Sequence, residues 1–307
     1  MSLNYARIGQ RLRAFRLGSD VSADEVARRI GISRTALYRF EKGEVVKIET
    51  LNSLAELLDV SLATLLGVEI EYISSAVTYF ERIRQLEASA DRIVVLGVPV
   101  AYLLASPPFT DLLETLLKES VTGRPGGAVT EANLDARGQK LLQDVDRIIE
   151  ILRERKRSYA QRSPSVVNAV SALDLERLLH SGFVGCAFIS EEERAERRRM
   201  ARAEVAHLIR MIEAPPIGTQ IGLVTGTLPH TGFQLFGAGE IKTLTISPFR
   251  LGEQPNIRLG VAMITSTTEA VKLHEAIVDE VWRDALKGRD AAAYLRDLMA
   301  SAGARDG

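Results

Sequence analysis

The chain of 307 residues contains one cysteine, carries almost no net charge and has no long apolar run. A lone Cys186 cannot form an internal disulfide, which favours a reducing compartment such as the cytosol. Because no apolar run approaches the roughly 18 residues that a membrane helix needs, we expect no contact with a membrane. The arginine-rich first residues lack the pattern of a signal peptide, so we expect a cytoplasmic protein. A formal net charge of −1 argues against a protein that coats nucleic acid regardless of sequence.

Signatures of catalysis and of metal binding are also missing. The four histidines are scattered and no HxxxH or CxxC spacing occurs, so we expect no metal site. Neither the GxxxxGK loop that binds nucleotide phosphates nor the GxSxG turn of serine hydrolases is present. Residues 237–239, Gly-Ala-Gly, look like the start of a dinucleotide-binding loop, but they lie between two predicted strands and the third glycine is absent. The sequence therefore predicts neither a cofactor nor an enzyme.

What the chain does contain is a pair of short helices near its start, with clear signals for where each begins and ends. Ser22 can cap the first helix, and Glu25 stands at the spacing of a capping box. Gly31 fits the tight turn that follows, Ser33 can cap the second helix, and Gly43 can end it. Two short helices joined by a tight turn with glycine are typical of a helix-turn-helix, whose second helix enters the major groove of DNA.

The second of these helices has an apolar face and a polar face. Leu37 and Phe40 are three residues apart, so they share one side and can enter a core. Arg34 and Arg39 lie on the other side, where a guanidinium group can pair with O6 and N7 of guanine. Apolar residues at helical spacing before and after this pair predict five helices in about sixty residues, which is enough for a small independent core.

Residues 8–67 resemble the helix-turn-helix domain of phage repressors and Cro, which belongs to the XRE family of transcription regulators. The likeness rests on the segments IGQRLRAFR, VSADEVARRIGIS, RFEKG and ETLNSLAELLDVSLATLL. It implies an all-α, five-helix, lambda-repressor-like DNA-binding domain over residues 1–67, with a double-stranded DNA operator as partner. The family usually has a glutamine after the first cap serine, where it holds a phosphate, and Ala23 stands there in this chain.

The resemblance also implies which side chains meet DNA. Those that would face base edges are Arg34, Thr35 and Arg39. Those better placed for backbone phosphates, which position the protein without reading sequence, are Ser33, Tyr38, Lys42 and Lys47. The alternative is that all of these are ordinary solvated residues on a helical domain that contacts other proteins. The motif, the turn and the basic exposed face together favour DNA binding.

Residues 68–90 are predicted to form one connecting helix. An apolar seam with 3-4-3 spacing runs along it through Ile70, Ile73, Val77 and Phe80. This seam could join two copies of the chain as a homodimer beneath the DNA-binding heads. It could equally pack on the chain's own C-terminal domain, since the heptad run is short.

Residues 91–307 predict an α+β domain with a mainly antiparallel sheet, because several helical patterns are followed by consecutive strand patterns with short gaps. The predicted helices span residues 109–120, 134–159, 166–179, 191–212, 267–286 and 291–299. The predicted strands span residues 91–97, 182–190, 219–225, 232–236, 241–247 and 257–265. A glycine-rich loop is expected at residues 122–133.

Polar and aromatic residues near the predicted strand at 232–236 suggest a ligand pocket. His230 and Gln234 could point polar groups into it, and Phe233 and Phe236 could form its walls. The alternative is that His230 is an ordinary turn residue.

The family resemblance completes the functional hypothesis. Many XRE-type regulators carry a C-terminal domain that senses a small molecule or mediates assembly. The resemblance therefore implies a homodimeric, sequence-specific transcription regulator that a small-molecule effector modulates. Two alternatives stay open at this point: an enzyme domain tethered to a DNA-binding head, and an antitoxin-like repressor that binds a protein partner.

Overall fold

The first residues of the chain form the helical domain that the sequence predicts. The structure, a computed structural model, describes residues 4–68, 70–97, 101–127, 134–229 and 231–304. Residues 4–66, which are described in full, contain the five helices α1 (Tyr5–Leu17), α2 (Ala23–Ile30), α3 (Arg34–Glu41), α4 (Ile48–Leu57) and α5 (Leu62–Leu66). These helices bury apolar residues that recur at helical spacing, among them Leu12, Val26, Leu37, Leu54 and Leu65. The five-helix prediction is confirmed.

Eight strands within the described residues form one mixed sheet. They are β1 (Glu71–Ile73), β2 (Arg92–Leu96), β3 (Ser165–Ser171), β4 (Thr219–Val224), β5 (Phe233–Ala238), β6 (Ile241–Ile246), β7 (Ala262–Thr265) and β8 (Leu286–Lys287). Their order across the sheet is β1-β7-β6-β5-β2-β3-β4-β8. Strands β2, β3 and β4 pair in parallel, and the other pairings are antiparallel. The α+β class and the mainly antiparallel sheet are therefore confirmed.

Helices cover both faces of this sheet. They are α6 (Ala76–Ser89), α7 (Phe109–Thr122), α8 (Ala136–Arg162), α9 (Ala172–Ser181), α10 (Glu191–Glu213), α11 (Thr268–Asp284) and α12 (Gly288–Ala304). Successive side chains of a strand point to opposite faces. Ile93 and Val95 of β2 accordingly join a large core that includes residues of α1 and α12, whereas Val94 and Leu96 join a smaller core with α11. The N-terminal helices thus share the larger core with the sheet.

The single helix predicted for residues 68–90 is wrong. Residues 71–73 form β1, which pairs with β7, and α6 begins only at Ala76. Ile73, Val77 and Phe80, three of the four seam residues, are buried in the chain's own large core. The apolar spacing therefore reflects packing inside the chain, and these three side chains offer no surface to a second copy.

The helix predicted for residues 166–179 is also wrong in its first half. These residues are divided between strand β3 and helix α9. The β-branched residues Val166, Val167 and Val170 suit a central strand. Ser171 then caps α9 by accepting a hydrogen bond from the third residue of that helix at 3.2 Å.

Residues 182–190, predicted to form a strand, are an irregular segment. Their apolar character has a different cause, since Phe183 is buried and its ring centroid lies 5.7 Å from that of Phe109 on α7. The segment fills the core from a loop. The loop predicted for residues 122–133 lies in part outside the described residues.

A buried ion-pair cluster joins α1 to the sheet domain. Glu71 of β1 accepts hydrogen bonds from Arg11 Nε at 2.6 Å and from Arg82 Nε at 2.9 Å. All three residues are buried. Beside them, Gln85 Nε2 donates to the backbone carbonyl of Gln10 at 3.0 Å. Helix α6 therefore holds α1 through directional polar contacts as well as through apolar packing.

Candidate DNA-binding surface and ligand cavity

The turn between α2 and α3 has the local geometry that a helix-turn-helix needs. Ser22 Oγ accepts from the backbone N–H of Glu25 at 3.2 Å, and this bond caps α2. Ser33 Oγ accepts from the backbone N–H of Ala36 at 3.0 Å, and this bond caps α3. Gly31 between them has a φ of 74°, a left-handed conformation that favours glycine. The carboxylate of Glu25 pairs with arginines one turn later in α2 instead of closing the capping box.

The residues predicted to contact DNA lie on α3, at its N-cap and between α3 and α4, and most of them face solvent. Arg34 and Arg39 keep 55% and 62% of their side chains exposed. The other predicted contacts are also exposed, apart from a half-buried Tyr38; they are Ser33, Thr35, Lys42 and Lys47. Leu37, on the opposite side of α3, is fully buried. The polar face of α3 therefore points outward, and the DNA contacts themselves stay a prediction.

Tyr38 orients Arg34 on the surface of α3. The guanidinium carbon of Arg34 lies 5.4 Å from the centroid of the Tyr38 ring, and Arg34 Nε donates to the Tyr38 hydroxyl at 3.0 Å. Arg16 of α1 also lies over this ring, at 5.7 Å from the centroid. It donates to the carboxylate of Glu41 at 2.5 and 2.9 Å, which ties α3 to α1. Arg34 is thus preorganised on a fixed helix, which lowers the entropic cost of binding.

Each exposed arginine of α3 has a carboxylate partner in the free protein. Arg34 Nη1 lies 3.1 Å from Asp24 Oδ2, and Arg39 Nε lies 2.7 Å from Glu44 Oε1. The hydrogen bond to Tyr38 and the charge of Asp24 raise the pKa of Arg34, and the hydrogen bond to Glu44 raises the pKa of Arg39. Exposed pairs of this kind contribute little free energy. A base edge or a phosphate can therefore take the place of either carboxylate.

A second candidate site is a cavity of about 1380 Å³ in the sheet domain. It opens where the parallel strands β2, β3 and β4 end, and Gly97, Ser171 and Thr225 at those ends line it. Ligands of open sheets with parallel strands bind at this edge. Helix α6 contributes Tyr79 and Phe80 to the lining.

The residues predicted to bind a ligand are only partly brought together. Phe233 and Gln234 line the cavity. Phe236 belongs to the large core on one face of the sheet and Phe233 to the smaller core on the other, so the expectation that these two rings wall one pocket is wrong. The physical reason is the odd separation of the two positions within β5. His230 lies outside the described residues, and the ligand-binding role of Gln234 stays a prediction.

Sequence reasoning misses the buried ion pair of this cavity. Two N–H groups of Arg155 on α8 donate to the carboxylate of Glu87 on α6, each at 2.7 Å. The Arg155 guanidinium carbon lies 5.1 Å from the ring centroid of Tyr102. Burial opposes the charge of Arg155, but Glu87 offsets this and raises the pKa above its ordinary value. The basic run at residues 153–162 is a local signal for this site, but its partners come from distant parts of the chain.

The described residues give no support to a metal site or a membrane segment. Within the five ranges that the structure covers, no group of three His, Cys, Asp or Glu is placed to hold a metal ion. No helix in those ranges combines the length and the apolar character that crossing a bilayer requires. The thiol of Cys186 is free and buried.

Comparison with known proteins identifies the N-terminal part of the chain. Residues 7–66 match a family model described as a helix-turn-helix domain, and the match spans α1 to α5. This part of the chain is a helix-turn-helix domain, consistent with an XRE-type regulator. The match ends before β1, so the sheet domain lies outside it. Comparisons with curated proteins and with solved structures gave no match.

Proposed function

We propose that this protein is a sequence-specific DNA-binding transcription regulator whose α3 lies in the major groove. The observation that carries the proposal is the pair of exposed arginines on a capped second helix of a helix-turn-helix domain. That helix is the one that enters the groove in such domains. Base edges are read by Arg34, Thr35 and Arg39. Phosphates are held by Ser33, Tyr38, Lys42 and Lys47.

The regulator binds its operator as a homodimer. Helix α3 has eight residues and reaches one half-site. Because the N-terminal domain carries only a mild excess of basic residues, a single copy binds DNA with modest, salt-sensitive affinity. Two copies related by a two-fold axis would bind half-sites about 10 base pairs apart. Three of the four seam residues, Ile73, Val77 and Phe80, are buried inside the chain, so we expect the dimer to form through another surface.

A small-molecule effector acts on this dimer through α6. One side of α6 lines the cavity, and the other side holds α1 through the contact between Gln85 and Gln10. A ligand that binds more tightly to the conformer whose two α3 helices match the half-site spacing raises the affinity for DNA. A ligand that prefers another conformer lowers that affinity.

The role of the cavity in this proposal is binding rather than catalysis. Its carboxylates are held in ion pairs: Glu87 with Arg155 at 2.7 Å, and both Asp174 and Glu253 with Arg177 at 3.1 and 2.8 Å. A general base must be free to take a proton from its substrate. Carboxylates whose oxygens already face a guanidinium are better suited to the recognition of a ligand than to general-base catalysis.

Selection of bound duplexes from a random pool by the purified full chain tests the proposal. We expect one enriched motif with two-fold symmetry and half-sites about 10 base pairs apart, since two copies of α3 must enter successive major grooves. The matched control is the double variant Arg34→Ala, Arg39→Ala, which keeps the buried face of α3. Enrichment of no motif by the parent chain, or of the same motif by the double variant, would overturn the proposal.

A further inference from the structure

We infer that the cavity at the ends of β2, β3 and β4 is a binding site for an organic anion with a flat apolar body. This site lies in the sheet domain. Only the role of its ligand as the effector rests on the proposed function. At about 1380 Å³ the cavity exceeds the roughly 300–1,000 Å³ of typical small-molecule sites. A ligand of drug size can therefore fit with room for water.

The apolar part of the site is a group of aromatic rings. The ring centroid of Tyr79 lies 5.3 Å from that of Phe80 and 5.9 Å from that of Phe249, and all three residues line the cavity. Tyr102 adds a fourth ring, whose centroid lies 5.1 Å from the guanidinium carbon of Arg155. Rings grouped in this way offer flat surfaces against which a planar ligand can stack.

A row of four side chains, three of them polar, crosses the sheet at the same level. Strand register aligns Thr245 with Gln234, Gln234 with Val95, and Val95 with Asn168. Residues aligned across neighbouring strands point to the same face of a sheet, and the first three of these residues line the cavity. The row therefore places hydrogen-bonding groups beside the aromatic rings.

Two members of this row, Asn168 and Thr245, are buried polar residues. Asn168 is fully buried, and neither its amide nitrogen nor its amide oxygen has a partner among the described residues. Thr245 is 1% exposed, and its hydroxyl lies beside the Tyr79 phenol, although it forms no well-aligned hydrogen bond within the same residues. Leaving a buried amide such as that of Asn168 unpaired destabilises the fold. Thr245 lines the cavity and Asn168 does not, so a polar ligand can bond to the Thr245 hydroxyl.

The charge of the ligand follows from the ion pairs around the cavity. The three lining carboxylates, on Glu87, Asp174 and Glu253, already face guanidinium groups. Arg250 is exposed at the rim, donates through Nε to the carbonyl of Gln254 at 3.2 Å, and makes no ion pair with any described residue. An anionic group can bind Arg250 directly, whereas a cation would have to displace a guanidinium.

Fluorescence titration of the full chain with two dyes tests this inference. Anilinonaphthalene sulfonate has a flat apolar body and one negative charge, and N-phenylnaphthylamine has a similar body without the charge. We expect saturable binding of both dyes, one per chain. Arg250→Gln should weaken binding of the sulfonate about tenfold and leave binding of the neutral dye unchanged, because only the anion uses the guanidinium.

The matched control is Arg258→Gln, which removes the same charge from an exposed arginine on the same loop that does not line the cavity. It should leave both titrations unchanged, and thermal unfolding should be the same for all three chains. Sulfonate binding that is not saturable, or that falls equally in both variants, would overturn the inference. The titration contains no DNA, so its failure is distinct from failure of the duplex selection, which overturns the proposed function alone.

Discussion

Arginine–carboxylate pairs on the outer face of α3 differ in burial from those at the contact of α1, α6 and β1. Arg34 and Asp24 approach to 3.1 Å, and Arg82 and Glu71 approach to 2.9 Å. The first pair has side chains 55% and 69% exposed, and the second has side chains 5% and 4% exposed. The distances are alike, and burial makes the difference between the two settings.

This difference assigns the two kinds of pair to different tasks. In water, an exposed pair contributes about 0–1 kcal/mol, so DNA can replace its carboxylate at small cost. When a buried charge loses its partner, no water is present to take the place of that partner. The buried cluster therefore persists while the molecule stays folded. The outer pairs are therefore exchangeable, and the inner cluster fixes α1 on the sheet domain. Changes at the two places should separate stability from DNA binding.

The largest expected effect is on stability, from Glu71→Gln in the inner cluster. The change leaves Arg11 and Arg82 charged, buried and without their carboxylate, so the free energy of unfolding should fall by about 3–5 kcal/mol. Urea unfolding of the full chain, followed by circular dichroism, measures this. The matched control is Glu44→Gln, the same substitution in an outer pair, which should leave the transition unchanged. Equal unfolding transitions for both variants would mean that buried and exposed pairs contribute alike to stability.

The same cluster should make the free energy of unfolding depend on pH in the acidic range. Burial alone would raise the pKa of Glu71, but Arg82 and Arg11 lower it below its ordinary value of 4.5. A depressed pKa in the folded state means that the stabilisation is fully present above about pH 4.5 and is lost as the pH falls through the lower folded value. The parent chain should therefore lose more stability than Glu71→Gln between pH 5 and pH 3, by at most about 2 kcal/mol, because a single proton is bound. Parallel acid dependence in both chains would contradict this.

The next largest effect is on DNA recognition, from Arg34→Ala on α3. Affinity for the selected operator should fall roughly tenfold to a hundredfold, and selectivity at one or two base pairs should relax, because a bidentate contact to guanine is lost. Fluorescence anisotropy with the operator and with single-base variants measures both quantities. The control is Arg296→Ala, which removes an exposed, paired arginine from α12. Equal losses in the two variants would contradict the groove assignment of Arg34.

The structure of the outer surface could be predicted from the sequence because its determinants are local. The cap residues Ser22 and Ser33, the left-handed Gly31 and the buried Leu37 all act within one or two turns of the chain. Each of these signals has a fixed spacing, so pattern alone places α2 and α3 and orients the polar face of α3 toward solvent.

The inner contacts could not be predicted because their determinants are distant in sequence. Arg11 and Glu71 are 60 residues apart, and Glu87 and Arg155 are 68 apart. Residues 71–73 form a strand only because they pair with β7 at the edge of the sheet. A pattern of three residues is too short to predict this pairing. The cavity shares this property, since its rings and its polar residues Gln234 and Thr245 belong to separate elements. Sheet pairing, which follows from tertiary contacts, decides these features.

A smaller effect on DNA binding is expected from Lys47→Ala. Lys47 is exposed at the N-cap of α4, and it is predicted to contact a phosphate. Its removal should weaken all duplexes alike and reduce the slope of log affinity against log salt by about one, because one fewer counterion is released. Anisotropy titrations of the operator and of a scrambled duplex at several salt concentrations measure this. A loss confined to the operator would mean that Lys47 reads sequence.

The smallest expected effect comes from Glu44→Gln, and it is a gain. The change frees Arg39 from its surface partner and removes a negative charge near the DNA phosphates, so affinity should rise for every duplex, by no more than about fivefold. The gain should disappear at high salt, since screening weakens exposed charges. Anisotropy with the operator at two salt concentrations measures it, and Asp24→Asn should behave in the same way through Arg34. A loss of affinity in Glu44→Gln would mean that Glu44 positions Arg39 for the groove. The outer pairs would then be part of the recognition surface rather than exchangeable partners.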